Sequence, residues 1–262
     1  MNSALFTLDL SNYERPNVTN LRAGREAFNH GLRLLLSYQH ELAAKYFLTC
    51  VEQSPNCALA HALIACCHGP NYNFKGTPYY KFSHPGDDAG ASAPVDLSTR
   101  QFPCQLVADR YSSSAVEIVK KLETMQGVGA DEPQVIEDVE AKFIAAIRLQ
   151  TCNPGVDPSI AEELNDRPFA AAMHEIYKTY PNDPEIAYFY VGAVMTLYAW
   201  RLFEYPTGRP LSEDVPEVKK VLEEALQQFP QHVGLCHLYC HLCEMSAYPE
   251  QALAAGDVLR TQ

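Results

Sequence analysis

Two histidines and a glutamate late in the chain have the spacing of a metal site. They stand in the run HLYCHLCE as His237, His241 and Glu244. On a helix, residues four apart share a face, so both imidazoles point the same way and Glu244 adds a carboxylate one turn further on. Imidazoles with a carboxylate suit a divalent ion such as zinc, copper or iron, with open positions left for water or substrate. The run is not the HExxH pattern of zinc proteases, because Leu238 occupies the place of the general base. The same spacing also fits two hydrogen-bonded histidines lining a groove. Cys236, Cys240 and Cys243 form a neighbouring stripe and read as small packing residues.

Other polar residues gather earlier. His61 and His68 are seven apart and share a helix face, and Asn71-Tyr72-Asn73 follows directly on Gly69-Pro70. The Asn-Tyr-Asn run can fix a turn or touch a ligand. Together with Tyr239, these five residues are the expected lining of a binding groove. Other chemistries lack their motifs. There is no GxGxxG or GxxxxGK[ST] segment to cradle a phosphate, and no GxSxG nucleophile elbow.

Composition narrows the partners. A net charge of −12 without clustered Lys or Arg argues against binding nucleic acid or an anionic membrane surface. The nine cysteines are odd in number and fall on helical stretches, so they read as reduced, buried small hydrophobes. The N-terminal run MNSALFTLDLSNYERP is too polar for a secretory signal. The most apolar stretch, Ile186–Trp200, is shorter than the roughly 20 residues a membrane span needs and reads as a buried helix. A cytoplasmic location follows as the expectation.

The elements that would position these residues are set by the stretch Gly31–Pro55. Gly31, Ala43, Phe47, Cys50 and Pro55 stand at successive intervals of 12, 4, 3 and 5. Those are the intervals of a tetratricopeptide repeat, a helix–turn–helix unit of about 34 residues. The small Gly31 lets the second helix approach the first, Ala43 and Phe47 continue the contact stripe, and Pro55 ends the second helix.

Used as a ruler, this spacing predicts helices over about Ala23–Tyr38, Glu41–Gln53 and Ala58–His68, after a loose arm over residues 1–22. The period then fails between Gly69 and Pro103, an insertion dense in Pro, Gly and Asn that carries several aromatics. Helices resume over Cys104–Gln126 and from an N-cap at Asp131, with Pro133 in the first turn, to Leu149. The acidic face Glu137, Asp138, Glu140 is expected to be solvated. Met173 and Ile176 before Pro181, then Leu222 and Ala225 before Pro230, repeat the intervals. They introduce expected helices over Pro184–Phe203 and Val233–Met245. The last expected helix is Pro249–Thr261, and the projected repeat closes just past Gln262. That predicts an open stacking face, a homo-oligomer interface, or continuation in a longer protein.

With these residues in place, the chain resembles the tetratricopeptide-repeat proteins, and more narrowly a group of larger ones from bacteria and algae. The likeness rests on Gly31–Pro55, on ALAHALIACCHGPNYN from Ala58 to Asn73, and on HVGLCHLYCHLCEMSAYPEQALAAGDVLR from His232 to Arg260. In that group the last segment typically reads HPGxxHxYIHxxE followed by PxxAL. His232, His237, Tyr239, His241, Glu244, Pro249, Ala252 and Leu253 match it, whereas Val233 and Cys240 depart from it. A second His-rich helix motif normally follows downstream and is absent here. The resemblance implies an all-α, tetratricopeptide-like solenoid of antiparallel helix pairs with a long irregular insertion, and a functional role for His237, His241 and Glu244. The expected function is a helical scaffold that binds a protein or peptide in its concave groove. The alternative is a metal-binding protein or metal-dependent enzyme built on the three-residue cluster.

Overall fold

A methyl group on Gly31 would lie 2.8 Å from the ring of Phe47, so only glycine allows the first two helices to approach as closely as they do. The computed structural model describes residues 13–21, 23–73, 103–125, 136–153, 160 and 162–261. Among these, ten α-helices follow one another: α1 Arg25–Leu36, α2 His40–Gln53, α3 Ala58–His68, α4 Pro103–Met125, α5 Asp138–Thr151, α6 Arg167–Thr179, α7 Pro184–Leu197, α8 Asp214–Gln228, α9 Val233–Glu244 and α10 Leu253–Arg260. Each packs on the next in the chain. The small and apolar repeat positions account for this packing: Ala43, Phe47, Cys50, Met173, Ile176, Leu222 and Ala225 are all buried. One apolar cluster runs from α1 to α10, and a smaller one joins α3, α4 and α5.

Alternate helices also meet. α1 touches α3, α3 touches α5, and α7 touches α9. The course of the chain then brings α9 back against α1. The meeting point is Gly234, where a methyl group would lie 2.8 Å from both Leu36 on α1 and Tyr188 on α7.

Several boundaries differ from the sequence expectation. The seventh helix stops at Leu197 instead of Phe203, and Phe203–Glu204 pairs antiparallel with Arg209–Pro210 in a two-residue ladder (β1 and β2). The apolar run continues past Leu197, but Trp200 takes a left-handed backbone with φ 59° that no helix can contain. The fifth helix begins at Asp138, while Asp131 and Pro133 lie outside the described residues. A π-helical turn, Glu162–Asp166, precedes α6, and a 3₁₀ turn, Pro249–Ala252, precedes α10. Neither was expected, because periodicity does not separate these turns from α-helix. The insertion is described only to Asn73; its aromatics from Phe74 to Phe82 lie outside the described residues.

Two polar expectations are corrected. Residues 13–21 are not loose. The Arg15 guanidinium meets Asp183 at 2.9 Å and Glu185 at 2.5 Å, and Leu21 is buried. Glu140 is not solvated but 3 % exposed, and its Oε2 accepts bonds from the N–H and hydroxyl of Thr19 at 3.1 and 2.5 Å. The arm supplies the partners that a helix-face reading of Glu137, Asp138 and Glu140 omits. Of those three only Glu137 and Asp138 are exposed. Cys50, Cys57, Cys66, Cys67, Cys152, Cys236, Cys240 and Cys243 are free thiols, and no helix among the described residues is long and apolar enough to cross a membrane.

Candidate functional site

Helix α9 starts on His232, whose Nδ1 accepts the N–H of Leu235 at 3.2 Å and so caps the first turn. From that start, the four-residue spacing carries His237 and His241 to one face. Their Nε2 atoms lie 3.1 Å apart with the rings stacked. Glu244 does not join them at that point. Its Oε1 lies 2.8 Å from Nδ1 on the far side of the His241 ring. Among the described residues no three His, Cys, Asp or Glu side chains gather to hold an ion. The expectation of three co-ligands is therefore corrected: two nitrogens converge and the carboxylate stands behind one of them. An i, i+3 glutamate reaches the near edge of the ring sooner than the space in front of it.

Electrostatics keeps the inner ring neutral. Burial, helped by the neighbouring His241, pushes His237 down to about 4, with a backbone hydrogen bond to Leu36 opposing. His40, also buried and facing His237, is pushed down to about 4.

Three aromatic residues wall the pair. The Tyr38 ring lies 4.5 Å from that of His237, and the Tyr72 ring 5.1 Å from that of His241. Trp200 stacks on Tyr72 at 5.2 Å and stands edge-on to His241. Both Tyr38 and Trp200 hold φ 59°. A bulky side chain in that region costs of order 1–3 kcal/mol, and such strain clusters at functional sites. Tyr72 is fully buried, and burial, then Glu244, pushes its phenol up to about 12. Trp200, by contrast, is 51 % exposed.

The other expected site residues scatter. His61 sits apart against Tyr111 of α4, with its Nε2 3.1 Å from the carbonyl of Pro55. His68 is buried at the end of α3. Tyr239 points to α8, where its hydroxyl donates to Glu223 at 2.9 Å. Of the Asn-Tyr-Asn run, Tyr72 joins the histidines. Asn71 lines a pocket between α1, α3, α5, α6 and α7. Its Oδ1 accepts the N–H of Asn73, while its Nδ2 has no partner among the described residues. Asn73 Oδ1 is likewise buried without a partner among the described residues.

The sequence reading missed Tyr38 and Trp200. Tyr38 lies in a short connection and Trp200 was assigned to helix interior, so neither carried a spacing signal. The lone tryptophan of the chain was the available cue. No family model matches this chain, and no curated protein or solved structure matches it.

Proposed function

We propose that the protein is a tetratricopeptide-like helical scaffold that binds a protein or peptide partner. Helix pairs packed in sequence, with small and large residues at the repeat intervals, support the scaffold half of this reading. Such helical repeats work chiefly as interaction modules.

The observation that carries the binding half is the placement of Trp200. It is held in a strained backbone, backed by the buried Tyr72 and His241, and still half open to solvent. The hairpin that follows rests its turn at Gly208 on Ala247, which brings the exposed Tyr205 and Tyr248 to the same end of α9. Tryptophan and tyrosine on a rigid backing are the residues that dominate partner binding, because they bury large area at small entropic loss. Since α1 and α9 touch, the partner is assigned to this aromatic surface at the end of α9 and not to a wide concave groove. Leu253, exposed on α10, is the place where a second copy or a further repeat would add.

Selection from a random-peptide library on the purified chain tests the reading. Enriched peptides are expected to lose more than about tenfold in affinity to Trp200→Ala, as a hot-spot residue requires. Absence of enrichment, or equal binding to Trp200→Ala, would overturn it.

A further inference from the structure

The two histidines of α9 carry an inference that the scaffold reading does not need. Their hydrogen bonds do not close as neutral rings. His237 bonds the carbonyl of Leu36, and with Nε2 turned toward His241 the nitrogen that remains for that bond is Nδ1. A neutral His237 with its proton on Nδ1 has a bare lone pair at Nε2. His241 meets the carboxylate of Glu244 through Nδ1, and a carboxylate only accepts. A neutral His241 with its proton on Nδ1 therefore also has a bare lone pair at Nε2. Two lone pairs then face one another 3.1 Å apart. Either an additional proton or a cation belongs between them.

We propose that His237 and His241 are two ligands of one first-row divalent ion, zinc or copper, and that Glu244 and the Leu36 carbonyl orient their rings. The separation is that of ligand atoms. Two nitrogens each about 2.0–2.1 Å from zinc stand roughly 2.9–3.4 Å apart over the range from right-angled to tetrahedral coordination. The rear of each ring has the partner that metal-bound histidines keep: a carboxylate behind one, a backbone carbonyl behind the other. That pattern fixes both rings as the tautomer that offers Nε2. It also explains why Glu244 stands behind His241 instead of beside it.

The remaining positions of the ion are left to water or an outside ligand. His241, with its side chain 16 % exposed, gives access from solvent. Helix α9 supplies both nitrogens, so the ion does not require the rest of the chain to move.

Titration calorimetry of the reduced, chelator-free full chain with zinc chloride, and separately with copper(II) chloride, tests this. One ion per chain is expected, with copper the tighter of the two. His237→Ala and His241→Ala should each weaken binding at least tenfold. Glu244→Ala should weaken it by about 10–100-fold, whereas Glu244→Gln, which retains an acceptor for Nδ1–H, should lose far less. Histidine ¹⁵N NMR of the unaltered chain gives a reading that does not depend on a variant folding. Added zinc should shift Nε2 of two rings while their Nδ1 stays protonated. Cobalt(II) separates imidazole from the free thiols, because thiolate ligands add an intense charge-transfer band. No saturable binding, binding indifferent to both histidine variants, or a thiolate band with unmoved ring nitrogens would each overturn the proposal. The first of these outcomes, with a shared proton seen between the rings, would assign the pair to an imidazole–imidazolium bridge.

Discussion

His232 shows how a single side chain ties capping to pH. Its Nδ1 must remain unprotonated to accept the N–H of Leu235, and a positive ring would face the positive end of the α9 dipole. Its Nε2 is buried without a hydrogen-bond partner among the described residues, beside the Tyr13 ring at 4.8 Å. Burial pushes the group down to about 4, with Asp183 opposing. The folded value lies below the ordinary 6.5, so the associated stability is present above pH 6.5. It is lost as pH falls from there toward 4, at a slope set by the protons the unfolded chain takes up. The expected outcome is a melting temperature that drops between pH 7 and pH 5. In His232→Asn, which keeps a capping acceptor but does not titrate, the acid loss should shrink by roughly 1–3 kcal/mol. Identical acid slopes in the two proteins would remove His232 from the account.

The helices make a sharper test of packing through two glycines with opposite surroundings. Gly234 sits where α9 meets both α1 and α7, and an added methyl group collides with Leu36 and Tyr188. Gly256 on α10 has nothing among the described residues within 4 Å of the same position. Gly234→Ala should therefore cost about 1–3 kcal/mol by overpacking, and Gly256→Ala should stabilise by up to about 1 kcal/mol through helix propensity. Urea unfolding of both variants measures the pair, and equal signs would contradict the contact at Gly234. The contrast also marks how far the sequence was legible. The Gly31, Ala43, Phe47, Cys50 intervals report the contact between adjacent helices, and those residues do pack as the spacing requires. The α9 spacing likewise put His237 and His241 together. Periodicity does not report which distant helix arrives at a given face, because that depends on the summed curvature of every intervening turn. Hence His61, equivalent by register to the later histidines, stands against Tyr111, while Tyr38 and Trp200, with no register at all, wall the histidine pair. The left-handed turn at Trp200 escaped for a related reason: the apolar run passes through it, and only tertiary contacts hold it there.

At the scale of the whole molecule, the arm and α7 share a buried charge cluster. Asp183 caps α7 by accepting the N–H groups of Glu185 and Ile186, and Arg15 spans Asp183 and Glu185 from a segment some 170 residues earlier in the chain. Tyr13 donates to Glu185 as well. Burial pushes Glu185 up to about 7, with Arg15 holding it down and Asp183 adding to the rise. Removing the cation leaves the Asp183 carboxylate out of water, beside Glu185 and without its cationic partner, and breaking a buried pair from one side costs about 3–5 kcal/mol. Arg15→Ala should lower the urea midpoint at pH 7 by that order. Without Arg15 the folded Glu185 holds its proton still more tightly. A carboxyl whose folded value is raised contributes stability that is present below the unfolded value and lost as pH rises through the folded one. The deficit of Arg15→Ala should therefore grow as pH rises above about 7, where the unaltered Glu185 has released its proton and the variant's has not, and should stay level between there and the ordinary glutamate range near 4.5. A second variant, Glu185→Gln, keeps the acceptor for Tyr13 and removes the charge. Placed on Arg15→Ala, it should recover part of the loss at pH 7 and abolish the pH dependence of the remainder. A deficit below about 1 kcal/mol would mean that the pair contributes no more than an exposed one does.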